Sequence, residues 1–441
     1  MAVDVTPCER KYSKKLEDKT FIHKPNTIKG KPITIGHDYS QVVCIPEFSA
    51  EDAPWIIPLD MQRVKSSEIG YLKGMKQVKD LVKDECLPFH KYPTVCLGDC
   101  AYSAKDGLLA IKEELDRNLV FGARVKGDRK AYRAFAGKSG NNHPKWYGTE
   151  LILNQPDKHF PADFKIQYHE KNVGHQGIKT EVSLWKNMLF KGSRDFNSID
   201  FPCTLLRIES FRKNGKSAYE KPLWVAFYGK LRDEIFPFEL VKLYSNRFKI
   251  EHFFKFIKQN MLMNDFQTPE VKHEESWCSL QQLAYLQLYR AKDLAQEYLH
   301  PWEKYLPKKS QHANLPPKKV QQYFLNIYKS LPGHHAKLVT RGRNSGRRKG
   351  ELVEKRKNHD VIVKSKLEKK PKTANEPPLE KQFDSKVNSE DNLKTPKIPA
   401  KKVKPTVRKR ASNPKTQSYY QSPLFPKQIL SSLAMPQGQS P

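Results

Sequence analysis

One stretch late in the chain constrains it most: Tyr244-Ser245-Asn246-Arg247-Phe248-Lys249-Ile250-Glu251-His252-Phe253-Phe254-Lys255-Phe256-Ile257-Lys258. Wound as a helix at about 100° per residue with Arg247 as origin, it places Tyr244 at about 60°, Glu251 at about 40° and Lys258 at about 20°. One narrow stripe thus carries a phenol, a guanidinium, a carboxylate and an ammonium. Ile250, Phe253, Phe254 and Ile257 fall together on another side, an apolar face that docks the helix on a core. A carboxylate among cationic and phenolic groups suits a metal ion and a phosphate together. A plain amphipathic surface helix with an Arg247–Glu251 pair at i,i+4 spacing fits the same stripe.

Length and charge frame the rest. The chain has 441 residues and a net charge of +31, enough for two or three domains and a polyanionic partner. Residues 307–441 carry +22 of that charge and residues 1–306 carry +9. Seven scattered cysteines make neither a disulfide framework nor a zinc site, which points to reduced thiols in a cytosolic setting. No apolar run is long enough to span a membrane, and the N-terminus lacks the pattern of a signal peptide.

Taken in order, residues 1–6 read as the end of a strand bearing Asp4, and residues 7–32 as a basic loop. Ile33–Ile45 and Trp55–Leu59 read as strands, and Ser66–Lys83 as a helix. Pro93–Gly98 is a short apolar strand ending at Asp99. Ser103 is placed to cap a helix from Ala104 to Arg117, and Leu119–Val125 is the next strand. Residues 126–235 then alternate aromatic and β-branched residues with basic and polar ones. Strands are expected at Lys145–Leu153, Phe164–Tyr168, Lys179–Phe190, Cys203–Phe211 and Pro222–Tyr228. A basic, aromatic-bearing β surface suits nucleic acid; a bland β-meander fits as well.

The organising helix occupies 237–264. Another covers 274–299, with Leu280, Leu283, Ala284, Leu286, Leu288 and Leu294 mostly on one side, and a shorter one covers Lys318–Leu331. The expected division is 1–125 and 236–300 as two parts of one α/β domain, 126–235 as a β-rich insertion and 301–334 as a helical extension. Residues 335–441 are expected to form a disordered basic tail.

Three acids stand out: Asp4 on the first strand, Asp99 at the end of the fourth, and Glu251 on the late helix. In a right-handed α/β layout the first and fourth strands lie side by side, and a helix crossing them brings its acid to the same point. Clustered carboxylates repel one another and hold protons unless cations neutralise them. Hard divalent ions do so and keep positions open for water and phosphate. An ordinary turn or cap role is the plainer reading of Asp4 and of Asp99. His37, His252 and His273 read as satisfied or exposed histidines rather than metal ligands.

The spacing Tyr244-x2-Arg247-x3-Glu251-x6-Lys258 resembles the Y-R-E-K signature of one large branch of the DDE transposases of bacterial insertion sequences. Asp4 in Ala-Val-Asp-Val-Thr-Pro and Asp99 in Leu-Gly-Asp-Cys-Ala-Tyr-Ser resemble that family's first and second acids. The resemblance runs from residue 1 to about 330. It implies an RNase H-like mixed sheet with helices, interrupted by a β insertion before the last acid. It implies Asp4, Asp99 and Glu251 as catalytic metal ligands for two Mg²⁺ ions, with Mn²⁺ as a substitute, and Tyr244, Arg247 and Lys258 as DNA contacts. It further implies a homodimer on paired transposon ends that binds terminal inverted repeats, cuts there and joins the 3′-hydroxyl to target DNA, in a cytoplasmic, nucleoid-associated setting. Many members of that branch pass through a hairpin end whose flipped base stacks on a tryptophan; Trp185 and Trp146 are the candidates here. The departure is at the front, where Asp4 has only three residues ahead of it. On that ground the end-reading region is expected to be missing or supplied by another polypeptide, and the alternative reading is an inactive, truncated DNA-binding remnant.

Overall fold

Alternating burial carries the first residues into β1 (Ala2–Glu9), so Asp4 sits within a strand rather than at its end. The computed structural model describes residues 1–23, 32–46, 53–135, 146–170, 178–212, 214–295, 315–331 and 355–364, with Gly350 and Leu352. The basic segment expected as a loop instead continues β1 and adds β2 (Thr20–His23). Its apolar members Cys8 and Ile22 are buried, and their backbones pair with β3 (Ile33–Cys44). The flanking lysines had masked that pattern. Next comes β4 (Ile57–Val64), later than expected. Trp55 precedes it as a buried anchor whose Nε1 donates to the Leu315 carbonyl at 2.8 Å.

Helix α1 (Gly70–Lys83) starts four residues late, and the Ser66 backbone N–H is instead taken by the Asp18 carboxylate. After the single turn α2 (Pro88–Lys91) comes β5 (Thr94–Gly98). The expected helix from 104 to 117 is two short helices, α3 (Lys105–Ala110) and α4 (Lys112–Leu115), broken at the fully buried Ile111. Ser103 does not cap it. Its hydroxyl donates to the Cys100 carbonyl at 2.8 Å, closing a 3₁₀ turn, and Ala104 holds the cap position. Strand β6 (Leu119–Val125) follows as expected.

In the sheet these strands lie in the order β4-β3-β1-β5-β6, the first three antiparallel and the last two parallel to β1. That is the mixed sheet of an RNase H-like α/β fold. The later strands extend it. β7 (Lys130–Ala134) had no signal strong enough to be expected; β8 (Tyr147–Ile152), β9 (Phe164–Glu170), β10 (Ile178–Phe190), β11 (Cys203–Phe211) and β12 (Leu223–Tyr228) fall on or within two residues of the expected segments. β12 pairs with β6, and β11, β10, β7 and β8 continue outward. A bulge between Trp185 and Met188 lets β10 pair with β9 along its first half and β7 along its second.

Helices cover both faces, as a largely buried mixed sheet requires. On one face Met75 and Val78 of α1 and Leu108 of α3 pack with Val3, Phe121 and Trp185. On the other, α5 (Pro237–Asn246) sets Leu240, Val241 and Tyr244 on Leu97, Val120 and Phe227. Helix α6 (Lys249–Gln259) sets Ile250, Phe253 and Ile257 on Ala2, Cys8 and Tyr39, together with α7 (Val271–Arg290). The last described helix is Pro317–Ser330.

On α7 only part of the leucine face is buried. Leu280 and Leu283 are exposed, and the inner positions are Glu274, Cys278, Gln281, Tyr285 and Leu288. The chain divides into two compact units, residues 1–332 with 353–365, and 333–352 with 366–441. Within the first, the Ile362 N–H donates to the Lys19 carbonyl at 2.9 Å, and Ile362 bridges Thr20 in parallel. Most of the expected tail lies outside the described residues. Among the described residues no helix is long and apolar enough to cross a membrane.

Candidate active site

β1 runs beside β5 in parallel through a single residue pair, Ala2 with Leu97. Two residues further along each chain stand Asp4 and Asp99. Strand side chains repeat every second residue, so the register sets both acids at one level on the face covered by α5 and α6. β5 ends one residue earlier, at Gly98. A Cβ there would come within 2.7 Å of Tyr102 Cβ and 3.2 Å of Phe121 Cζ, so only glycine lets the chain turn at this point. Asp99 then closes the turn by accepting the Ala101 N–H at 2.9 Å, while Asp4 accepts the Val5 N–H at 2.8 Å.

The third element arrives from α5 and α6. The expected single helix is broken at Arg247–Phe248. The Ile250 N–H bonds to the Arg247 carbonyl at 3.1 Å and that of Glu251 to Phe248 at 3.0 Å, both over three residues. This is a tight 3₁₀ step between two helices. It turns Phe248 out to solvent and drives Arg247 inward. One Arg247 nitrogen lies 3.5 Å from Asp4 Oδ2 and another 3.0 Å from Glu251 Oε1. The guanidinium is also flanked by rings, its carbon 5.8 Å from the Tyr244 centroid and 4.8 Å from that of Phe248. Tyr244 Oη lies 3.5 Å from the Gly98 carbonyl, beside the root of Asp99.

The structure therefore brings Asp4, Asp99, Tyr244, Arg247 and Glu251 into one neighbourhood. Glu251 stands at its rim, with its side chain 52% exposed. Lys258 is set apart. It is half-buried further along β1, and Cys8 and Asp38 act on its charge more strongly than Asp4 does. Burial pushes its ammonium down to about 8 against those three groups. Asp38, raised chiefly by burial and opposed by Lys364 and Lys258, is the lysine's nearby acid and gave no sequence signal of that role.

Electrostatics mark the centre. The Asp4 carboxyl is raised to about 6, first by burial and then by the charge of Asp99, with Arg247 and the Val5 N–H acting the other way and Glu251 adding a smaller rise. Two carboxylates that repel each other in a partly dry crevice, with a single guanidinium between Asp4 and Glu251, form a hard oxygen donor set short of positive charge. Such a set fits a hard divalent cation. Among the described residues no group of three or more His, Cys, Asp or Glu side chains stands close enough to hold a metal ion by itself.

The other candidates resolve plainly. His37 is a buried, satisfied histidine between Glu274 and the Glu17 carbonyl, both at 2.9 Å. His273 pairs with Glu270, and His252 is exposed. All seven cysteines are free thiols. Trp185 is buried against Trp224, centroids 5.4 Å apart, on the sheet face opposite α5, whereas Trp146 is 39% exposed.

Residues 57–287 match the family model for the transposase DDE domain. The match takes in Asp99, Tyr244, Arg247, Glu251 and Lys258 and leaves Asp4 ahead of it. No curated protein matches the chain. Proteins of that family act on DNA and use divalent metal ions. With more than half of its length matched and the acids of its mixed sheet drawn to one crevice, the chain belongs to the DDE transposase family.

Proposed function

We propose that the chain is the catalytic region of a transposase of the insertion-sequence branch with the Y-R-E-K signature. In this reading it cleaves transposon ends and transfers the freed 3′-hydroxyl to target DNA by in-line phosphoryl displacement, working as a homodimer on paired terminal inverted repeats. Asp4, Asp99 and Glu251 would hold two Mg²⁺ ions. When bound, such a pair supplies activation of the attacking oxygen and stabilisation of the leaving one.

The chain's own residues do the rest. Asp4, with its carboxyl at about 6, is mostly ionised at neutral pH and offers a carboxylate that a proton contests in mild acid. Arg247 reaches both Asp4 and Glu251, and its remaining donors orient a phosphodiester. Tyr244 adds a hydroxyl beside Asp99. Lys258, kept at about 8 by burial, retains its charge at neutral pH for a phosphate further along the strand. The single observation that carries the reading is the Ala2–Leu97 register, which sets two acids 95 positions apart in the chain at one level under α6.

The test is a metal-dependent nicking assay on the element's end DNA, run beside a strand-transfer assay with pre-cut ends. Asp99→Asn and Glu251→Gln should each lower both activities by at least about a hundredfold while DNA binding is kept. Variants that cut like the parent overturn the assignment of the acids. Salt-sensitive binding without nicking by the parent points instead to the DNA-binding remnant, and nicking without joining to a plain nuclease.

A further inference from the structure

We infer that Arg124, a residue outside the Y-R-E-K signature, is a further DNA-backbone contact of this site. The inference rests on the functional reading above. Strand β6 is central in the sheet, and every residue from Leu119 to Val125 is buried except Arg124. A cation at that position does nothing for the core.

Its placement follows from register. β5 and β6 pair in parallel with Gly98 opposite Ala123, so one step further Asp99 and Arg124 share a level. Direction follows from Gly122, whose Cβ would strike Phe227 and Leu97 on the α5 face. Arg124, two residues on, faces the same way. Asp4, Asp99 and Arg124 therefore form one row across three adjacent parallel strands, about 5 Å from strand to strand.

A second observation places the guanidinium near the site. The Tyr244 phenol is pushed up to about 12 by burial, and Arg247 and then Arg124 are the cations that oppose this. Arg124 is thus within electrostatic reach of Tyr244. Unlike Arg247, which is bonded to two carboxylates, Arg124 makes no side-chain hydrogen bond or ion pair among the described residues. An exposed, uncommitted guanidinium beside a phenol and an acid, in a chain of net charge +31, suits bidentate binding of a phosphate. We assign it the backbone phosphate next to the one held over Asp4 and Asp99, with Tyr244 bonding between the two.

The experiment measures binding of linear duplex DNA by the full chain across a salt series, for the parent, Arg124→Ala and Arg124→Lys, each carrying Asp99→Asn so that no cutting intervenes. Arg124→Ala should bind roughly tenfold more weakly and show a slope of log affinity on log salt smaller by about one. Arg124→Lys should restore the slope but not the full affinity. A crosslinking amino acid at position 124 should attach to the DNA. An unchanged slope in Arg124→Ala together with no crosslink overturns the inference. Nicking by the parent and by Asp99→Asn alone is scored separately. If Asp99→Asn cuts like the parent, the functional reading fails, whereas loss of cutting with an unchanged Arg124→Ala slope removes only the role of Arg124.

Discussion

Asp4 shows how a single residue couples function to stability. Its carboxyl is held at about 6, above the ordinary 3.8, by burial first and then by Asp99. The folded state therefore binds a proton that the unfolded state has already released between those values. The stability tied to that proton is fully present below about 3.8 and is lost as pH rises through about 6. At neutral pH, without a cation, the ionised side chain strains the fold. Asp4→Asn should thus raise stability by roughly 1–3 kcal/mol at pH 8 in chelator and by much less at pH 4, read from thermal melts at both pH values. A variant less stable than the parent at pH 8 contradicts this. Asp4, Asp99, Arg247 and Glu251 were legible in the sequence because their chemistry is carried by residue type and spacing. The offset of Lys258 was not, since the helical wheel assumes an unbroken helix and the 3₁₀ step at Arg247–Phe248 changes the register of all that follows. Arg124 was hidden for a different reason: its meaning depends on the residue beside it in the next strand.

Among the elements, α6 owes its position to its apolar face. Ile250, Phe253 and Ile257 are buried as the periodicity indicated, and Phe253 meets the Tyr285 ring edge-on at a centroid distance of 4.9 Å. Phe253→Ala removes that anchor and should cost about 3–5 kcal/mol in denaturant unfolding. It should also lower cleavage by more than the loss of folded protein accounts for, because Glu251 rides on the same helix. Activity that tracks folded fraction alone would separate α6 packing from the site. The neighbouring α7 shows why periodicity misleads. Leucine spacing pointed to one face, whereas the buried face carries Glu274 and Gln281. Both polar residues are bonded, Glu274 to Arg10, His37 and Tyr39, and Gln281 to the Met261 carbonyl at 2.7 Å. Hydropathy cannot register a buried polar residue whose partners lie elsewhere in the chain.

Across the described molecule, Glu274 ties helix α7 to the neighbouring strands β1 and β3. It accepts from Arg10 Nε at 2.8 Å, just past β1, and from Tyr39 on β3 at 2.9 Å, while His37 lies at 2.9 Å. Burial alone would raise its carboxyl, but His37 and Arg10 outweigh burial and hold it below the usual value. Stability from this residue is present above about 4.5 and is lost as pH falls through its lowered value. Removing it leaves Arg10 buried and uncompensated, so Glu274→Ala should cost about 3–5 kcal/mol at pH 7 and less at pH 4; equal losses at both would place the cost in packing rather than charge. At this scale β1, β3, β4, β5 and β6 and the helix α1 were readable from periodicity and turn residues, and with them the mixed sheet, whereas β2 lay in a segment expected as a loop. That β7 to β12 extend the same sheet was not, because pairing partners leave no trace in a single strand's pattern.

The central claim is that acids far apart in the chain meet to hold cations, and anomalous diffraction from crystals of the protein with duplex DNA and Mn²⁺ tests it most directly. The account predicts density between Asp4 and Asp99 with Glu251 facing it, and loss of that density in Asp99→Asn. Well-ordered Mn²⁺ elsewhere, with the Asp4 and Asp99 carboxylates turned away from any ion, would contradict it.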